Sequence, residues 1–243
     1  MKKGAAGLLL IVSFFSLASE NQLYFEPISM NSSDPDSLRR GVKLYSDYCL
    51  GCHGLQYQRY GRIKQDLKLT EPQMIKYFGP DFKNSDVIDG TISEKAGRKW
   101  FGVSPPDLTL VTRLRGDSWV YNYLRAFYVD PSRPFGVNNF IYPQTSMPHV
   151  LEPLQGMPSP VYEQLFSNGE EKIIVTGTSS GGSGKLSPKE YDRAIQDLVH
   201  FLDYVSEPSK LERRSLGWWV IGFLLLLTMI VWALKKEYWR DVH

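Results

Sequence analysis

Near its C-terminus the chain runs through residues 216–234 without one charged side chain (LGWWVIGFLLLLTMIVWAL). As a helix rising ~1.5 Å per residue, such a run covers roughly 28 Å, close to the ~30 Å hydrocarbon core of a bilayer. Trp218, Trp219 and Trp232 fall where interfacial aromatic residues belong. A buried core helix does not need apolar side chains on every side over this length. The run therefore predicts one transmembrane anchor over residues 211–236, with a short tail at 237–243. Arg213 and Arg214 precede it, and Lys235, Lys236 and Arg240 follow it, so flanking charge does not orient it.

The other end supplies the orientation. Lys2 and Lys3 precede a short apolar run at residues 8–15, and Ser16 and Ala18 offer small residues before a cut. That is the layout of a secretory signal peptide over 1–18, and the apolar part is too short to span a bilayer. An uncleaved N-terminal anchor is the alternative. The stretch lacks the Arg residues and amphipathic period of a mitochondrial presequence, which points to a bacterial source. Export followed by one stop-transfer helix places residues 19–210 in the periplasm and the tail in the cytoplasm, with the anchor in the inner membrane.

Between the two ends the expected architecture is mainly α. Asp34 and Pro35 open a helix as N-cap and first helical residue, and Leu38, Val42, Tyr45 and Cys49 recur at helical spacing. A second helix starts near Asp117 and carries Trp119, Tyr123 and Phe127 on one face. A third opens with the capping box of Ser187, Pro188 and Glu190, buries Tyr191, Ile195, Leu198, Leu202 and Val205, and ends at Glu207-Pro208. Residues 130–160 are rich in Pro and read as a long loop, ordered by Phe135, Phe140, Ile141, Tyr142 and Met147. Residues 172–176 read as one strand of a small β-hairpin, with 177–185 (GTSSGGSGK) as its turn. Residues 19–206 hold 20 Lys and Arg against 22 Asp and Glu. That balance excludes a nucleic-acid surface and is too weak for strong electrostatic steering.

Chemistry concentrates in Cys49-Leu50-Gly51-Cys52-His53, the C-x-x-C-H signature of c-type haem attachment. Two thiols two residues apart at a helix end can each form a thioether to a haem vinyl group, and the adjacent imidazole then lies under the iron. Three other readings use the same residues: a thioredoxin-type dithiol, a structural zinc site and a plain disulfide. The zinc site is short of ligands, because Cys49 and Cys52 are the only two cysteines. The sixth ligand comes from Met30, Met74, Met147, Met157, His149 or His200, since Met229 lies in the membrane run. Met147 stands in a Pro-bounded loop able to drape across the ring, with His149 and Met157 as the alternatives. His200 reads as a core or surface histidine. A soft thioether favours ferrous iron and raises the potential, as suits an electron carrier.

CLGCHGLQYQRYG, SPPDLTLVTRLR, FYVDPSRPFGVNNFIYP, MPHVLEPLQG and the tail from LVHFLDYVSEP to LKKEYWRDVH resemble, in order, the cytochrome c1 family, the haem subunits of respiratory bc1 complexes. The resemblance implies a class I cytochrome c-like haem domain. It makes Cys49 and Cys52 the thioether sites, His53 the proximal ligand and Met147 the distal one, and it sets Pro105 and Pro106 against the haem. It matches Arg115 to an arginine that pairs with a haem propionate, with Trp119 at an aromatic position beside it. A solvated surface charge is the other reading of Arg115. Two features depart from the family: Trp100-Phe101 stand where a polar Asn pair is frequent, and the acidic insertion of mitochondrial relatives is missing.

The resemblance implies electron relay rather than bond-making catalysis. One electron passes from a Rieske iron–sulfur protein, through one covalently held haem c, to a c-type cytochrome. Cytochrome b and membrane lipid surround the anchor, and the family assembles as a dimer of three-subunit units. Three rival functions remain at this stage: a haem subunit of a terminal oxidase, an anchored thiol–disulfide oxidoreductase, and a haem sensor with an open iron position.

Overall fold

A computed structural model of the chain describes residues 25–31, 33–167, 170–179 and 184–241. The leader read over 1–18 lies outside them. In chain order the elements are α1 (Pro35–Tyr48), β1 (Leu55–Arg59), α2 (Tyr60–Asp66), α3 (Glu71–Phe78), β2 (Val87–Ile88), α4 (Glu94–Phe101), α5 (Val111–Arg115), α6 (Asp117–Arg125), β3 (Phe127–Val129), β4 (Val137–Asn139), α7 (Glu152–Gln155), β5 (Pro160–Ser167), β6 (Glu170–Thr178), α8 (Pro188–Ser206) and α9 (Lys210–Tyr238). The fold is mainly helical. Among the described residues the strands form three antiparallel pairs, β1–β2, β3–β4 and β5–β6.

The local signals explain the two long helices of the core. The Asp34 carboxylate accepts the Asp36 N–H at 3.0 Å and caps α1. The Glu190 carboxylate accepts from the Ser187 N–H at 2.9 Å and from its hydroxyl at 2.6 Å, closing the capping box of α8. Leu38, Val42, Tyr45 and Cys49 of the first stripe and Tyr191, Ile195, Leu198, Leu202 and Val205 of the second are all buried in one cluster. Burying a Leu or Val side chain contributes about 1.5–3 kcal/mol, so this α1–α8 pairing is the main stabilising contact of the domain.

The two helices meet at Gly41. A Cβ there would stand 2.6 Å from Phe201 Cβ and nearer still to the backbone carbonyl of Asp197. Beside that contact, Arg40 reaches Asp197 with two nitrogens, at 2.5 and 2.9 Å, and the Ser37 hydroxyl donates to the same carboxylate at 2.6 Å. Gly41→Val gains helix propensity, but it collides with backbone that cannot swing aside. Overpacking of this kind costs about 1–3 kcal/mol. Thermal unfolding of the purified protein, followed by circular dichroism, is expected to show a lowered midpoint. A midpoint unchanged from wild type would mean that the helices are not in contact there.

Three local expectations change. Phe127 is not on the second helix, which ends at Arg125; it begins β3, pairing with Asn139 of β4. The loop over 130–160 is not uniform, because it contains β4 and the one-turn α7. Residues 172–176 do lie in a strand, but 177–185 is not its turn. Gly177 and Thr178 continue β6, and that strand pairs with β5 before it, Ser167 opposite Glu170 with Asn-Gly between them in sequence. Asn-Gly between two strand-like runs is the strongest short hairpin signal, and it outweighs the longer Gly- and Ser-rich stretch.

Glu207 caps the end of α8, and α9 begins three residues later. Ser215–Tyr238 of α9 is long and apolar enough to cross a membrane, and its most apolar stretch is not buried against the rest of the described chain.

Candidate functional site

The Cys-x-x-Cys-His segment folds as a tight turn at the end of α1. Cys49 is the C-cap residue, its N–H donating to the Tyr45 carbonyl at 2.8 Å. The Cys49 carbonyl then accepts from Cys52 N–H at 3.0 Å and from His53 N–H at 2.8 Å. Tyr45, fully buried, donates its hydroxyl to the His53 carbonyl at 2.6 Å. Beneath the turn the chain packs backbone to backbone. A Cβ on Gly54 would stand 3.0 Å from Gly90 N, and one on Gly90 would stand 2.9 Å from the Cys52 carbonyl oxygen.

Pro106 fixes the imidazole. His53 Nδ1 lies 2.6 Å from the Pro106 carbonyl oxygen. A carbonyl only accepts, so Nδ1 carries the proton and Nε2 keeps its lone pair. Burial holds the His53 pKa below the ordinary histidine value, which favours the neutral ring that a metal needs. Pro106 is itself held in place. Leu108 N–H donates to the Gly54 carbonyl at 3.0 Å, and the Asp107 carboxylate accepts from Gln56 N–H at 2.7 Å and Thr109 N–H at 2.9 Å. Pro105 packs on α4 at Gly97, where a Cβ would stand 2.6 Å from Pro105 Cδ.

No disulfide joins Cys49, which is buried, to Cys52, which is half-buried. Burial pushes the Cys49 thiol up to about 12 and raises that of Cys52 as well. A thiol–disulfide oxidoreductase needs the reverse, an accessible sulfur with a depressed pKa. For the zinc reading, no group of three or more His, Cys, Asp or Glu able to hold a metal occurs among the described residues.

Of the remaining candidates, Arg115 ends α5, Trp119 lies on α6, and Met147 lies on the loop between β4 and α7. The Arg115 guanidinium stands 5.1 Å from the Trp119 ring centroid. Trp119 stacks on Tyr123 at 4.9 Å, nearly parallel, and Tyr123 meets Phe127 edge-on at 5.4 Å. Positions four apart share one face of a helix, and Phe127 continues the column from β3. Arg113 pairs with Glu207 at 3.0 Å, whereas Arg115 is exposed and makes no ion pair with a carboxylate among the described residues. Met147 is half-buried against the core, and its Sδ accepts the Tyr123 hydroxyl at 3.5 Å.

Two buried asparagines shape the loop that carries Met147. The Asn139 side chain donates to the Tyr123 carbonyl at 2.8 Å and accepts from Ile141 N–H at 3.0 Å and Tyr142 N–H at 3.1 Å. Asn138 Oδ1 accepts from Gln144 N–H at 2.8 Å. These bonds replace the secondary-structure ladder that the loop lacks. Sequence reasoning missed both residues, along with the roles of Tyr45, Asp107, Tyr123 and Thr145. Only Tyr45 and Tyr123 carried a signal, through their place in helical stripes.

The other possible ligands sit elsewhere. Met74 is fully buried in α3, Met30 packs against the core near the N-terminal end of the described chain, and Met157 is half-buried between α7 and β5. His200 is a core histidine, with Nδ1 2.8 Å from Ser37 Oγ and Nε2 3.2 Å from Asn31 N. His149 stacks on Phe127 at 5.0 Å, buried, with neither ring nitrogen in hydrogen-bond geometry. Burial pushes it down to about 4, tempered by nearby Gly156 and Gln155. Two thiols on one helix-end turn, an imidazole with its Nε2 lone pair free and a thioether on a braced loop form a donor set that fits a covalently held haem.

A model of the Cytochrome C1 family matches residues 25–168 and 184–242. Among curated proteins, a cytochrome c1 of Allochromatium vinosum is 45% identical over 240 residues, which cover 98% of each chain. A protein of Nitrosomonas europaea named ammonia monooxygenase gamma subunit is 36% identical, covering 97% of this chain and 96% of its own. A cytochrome c1 of Rhodospirillum rubrum is 27% identical, covering 86% of this chain and 83% of its own.

Proposed function

The chain belongs to the cytochrome c1 family, and on that premise we propose that Cys49 and Cys52 would attach its one haem c and that His53 and Met147 would supply the ligands to its iron. The protein is the membrane-anchored electron carrier of a ubiquinol–cytochrome c oxidoreductase, the bc1 complex, in which it works with cytochrome b and the Rieske iron–sulfur protein. The haem, when bound, supplies the one-electron change, and the polypeptide supplies its ligands and its low-dielectric surroundings.

The chain's own residues keep that change cheap. His53 is locked at its Nδ1 by Pro106, so the ring keeps the same orientation in both oxidation states. Met147 rides on a loop pinned by Asn138 and Asn139 rather than on a mobile arm. Pro105 packs on α4 at Gly97, and Pro106 presents its carbonyl to His53, so both belong to the site's frame. Arg115 offers an unpaired guanidinium over Trp119, suited to bidentate pairing with a propionate.

In this reading the leader over 1–18 is removed and the haem domain faces the periplasm of a bacterial inner membrane. The tail past residue 236 lies in the cytoplasm. Gly217 and Gly222 have open space around them, which lets a helix of cytochrome b approach α9 closely. The electron leaves to a c-type cytochrome, and the working unit is a dimer of three-subunit assemblies. The observation that carries the reading is the His53 imidazole, oriented by the Pro106 carbonyl, directly after the two cysteines of the helix-end turn.

Function is tested in membranes carrying an affinity-tagged chain. The tag is expected to bring down a b-type cytochrome and a Rieske protein, and ubiquinol is expected to reduce the tagged haem only while the Rieske protein is present. Reduction that persists without the Rieske protein, or co-purification with oxidase subunits instead, would assign the chain to a terminal oxidase.

A further inference from the structure

Three groups around Met147 close a ring of hydrogen bonds. Met147 N–H lies 3.4 Å from Thr145 Oγ1, Thr145 Oγ1 lies 3.0 Å from the Tyr123 hydroxyl oxygen, and that oxygen lies 3.5 Å from Met147 Sδ. The proton directions follow from the chemistry of the atoms. A thioether has no proton to give, and tyrosine has one. If Tyr123 donates to the sulfur, Thr145 must donate to Tyr123. Thr145 in turn accepts the Met147 N–H. Each hydroxyl is then satisfied as donor and acceptor, and each bond orients the next.

The Tyr123 ring has little freedom to leave this position. Trp119 covers one face at 4.9 Å, and Phe127 holds it edge-on at 5.4 Å. Asn139 fixes the Tyr123 backbone through the carbonyl at 2.8 Å. Thr145 is buried, so no bulk water competes for its hydroxyl.

We propose that the Tyr123 hydroxyl, aimed by Thr145, is a positioning residue that donates to the Met147 thioether and raises the midpoint potential of the haem. This rests on Met147 being the distal ligand. A thioether sulfur has two lone pairs, so one can face iron while the other accepts the hydroxyl. Hydrogen bonding withdraws electron density from the sulfur, and the positive end of the O–H dipole points toward the metal. Both effects disfavour the ferric state, so they act with the same sign.

The test uses the full-length chain in its purified complex. Tyr123→Phe removes only the hydroxyl and keeps the ring between Trp119 and Phe127. Thr145→Val removes the group that aims it. The expected result for Tyr123→Phe is a retained methionine–iron charge-transfer absorption with a lower midpoint potential. The redox equilibrium should shift between about twofold and tenfold, where tenfold corresponds to ~59 mV for one electron. Thr145→Val should move the potential the same way by less, and it carries the test alone if the first variant fails to load haem. Wild-type potentials in the variants that load, with the absorption retained, would overturn the proposal and leave Met147 ligation standing. Failure of the Met147 reading is separate: it appears as the absence of that absorption in the unsubstituted protein, or as its survival in Met147→Leu.

Discussion

Replacing Met147 by Leu abolishes the methionine–iron charge-transfer absorption and lowers the midpoint potential by more than about tenfold in the redox equilibrium, ~59 mV for one electron. Leucine fills a similar volume, so the loop and its half-buried contact with the core survive. What is lost is the soft sulfur, and with it the preference for ferrous iron. The Asn138 and Asn139 bonds that shape the loop do not involve the Met147 side chain, so the fold has no reason to follow. Redox titration with near-infrared absorption reads both effects in one sample. An unchanged spectrum would move the ligand to Met157 or His149. The packing of His149 against Phe127 makes it the poorer of those two.

The second large effect is on haem retention. Cys49→Ser together with Cys52→Ser is expected to leave no haem on the polypeptide after denaturing electrophoresis, by peroxidase staining. The loss should be complete rather than partial, because the chain has no third cysteine to form a thioether. Serine preserves the size of both side chains, and the turn is held by backbone bonds and by the Tyr45 hydroxyl, none of which needs sulfur. Each single substitution leaves one thioether and is expected to retain stain. Haem persisting on the double variant would mean that attachment lies elsewhere.

Much of this was legible because the relevant signals are local. The caps at Asp34 and Ser187, the two stripes that meet between α1 and α8, and the uncharged run in α9 each sit within a few turns of sequence. Residues 60–101 were not legible. Their helices, α2 to α4, are seven or eight residues long, too short for a hydrophobic period to separate helix from loop. The Asn-Gly pair that separates β5 from β6 in sequence is a local signal overshadowed by a longer Gly-rich one.

Site contacts divide the same way. The C-x-x-C-H turn announces itself, but the bond from His53 to Pro106 spans 53 positions, and no spacing rule reaches that far. Tyr123 was visible as a helix-face aromatic, yet its hydroxyl partners, Thr145 and Met147, come from a loop 22 and 24 positions later. Gly41 is a glycine like any other until α8 is laid across it.

The most direct measurement is the intact mass of the mature chain purified from membranes, taken with its reduced pyridine haemochrome spectrum. The account predicts a mass above that of the polypeptide by one haem, a spectrum of the type given by two saturated vinyl positions, and no titratable thiol. A bare polypeptide mass with both sulfhydryl groups reactive, or pigment that washes out with acidified acetone, would contradict it.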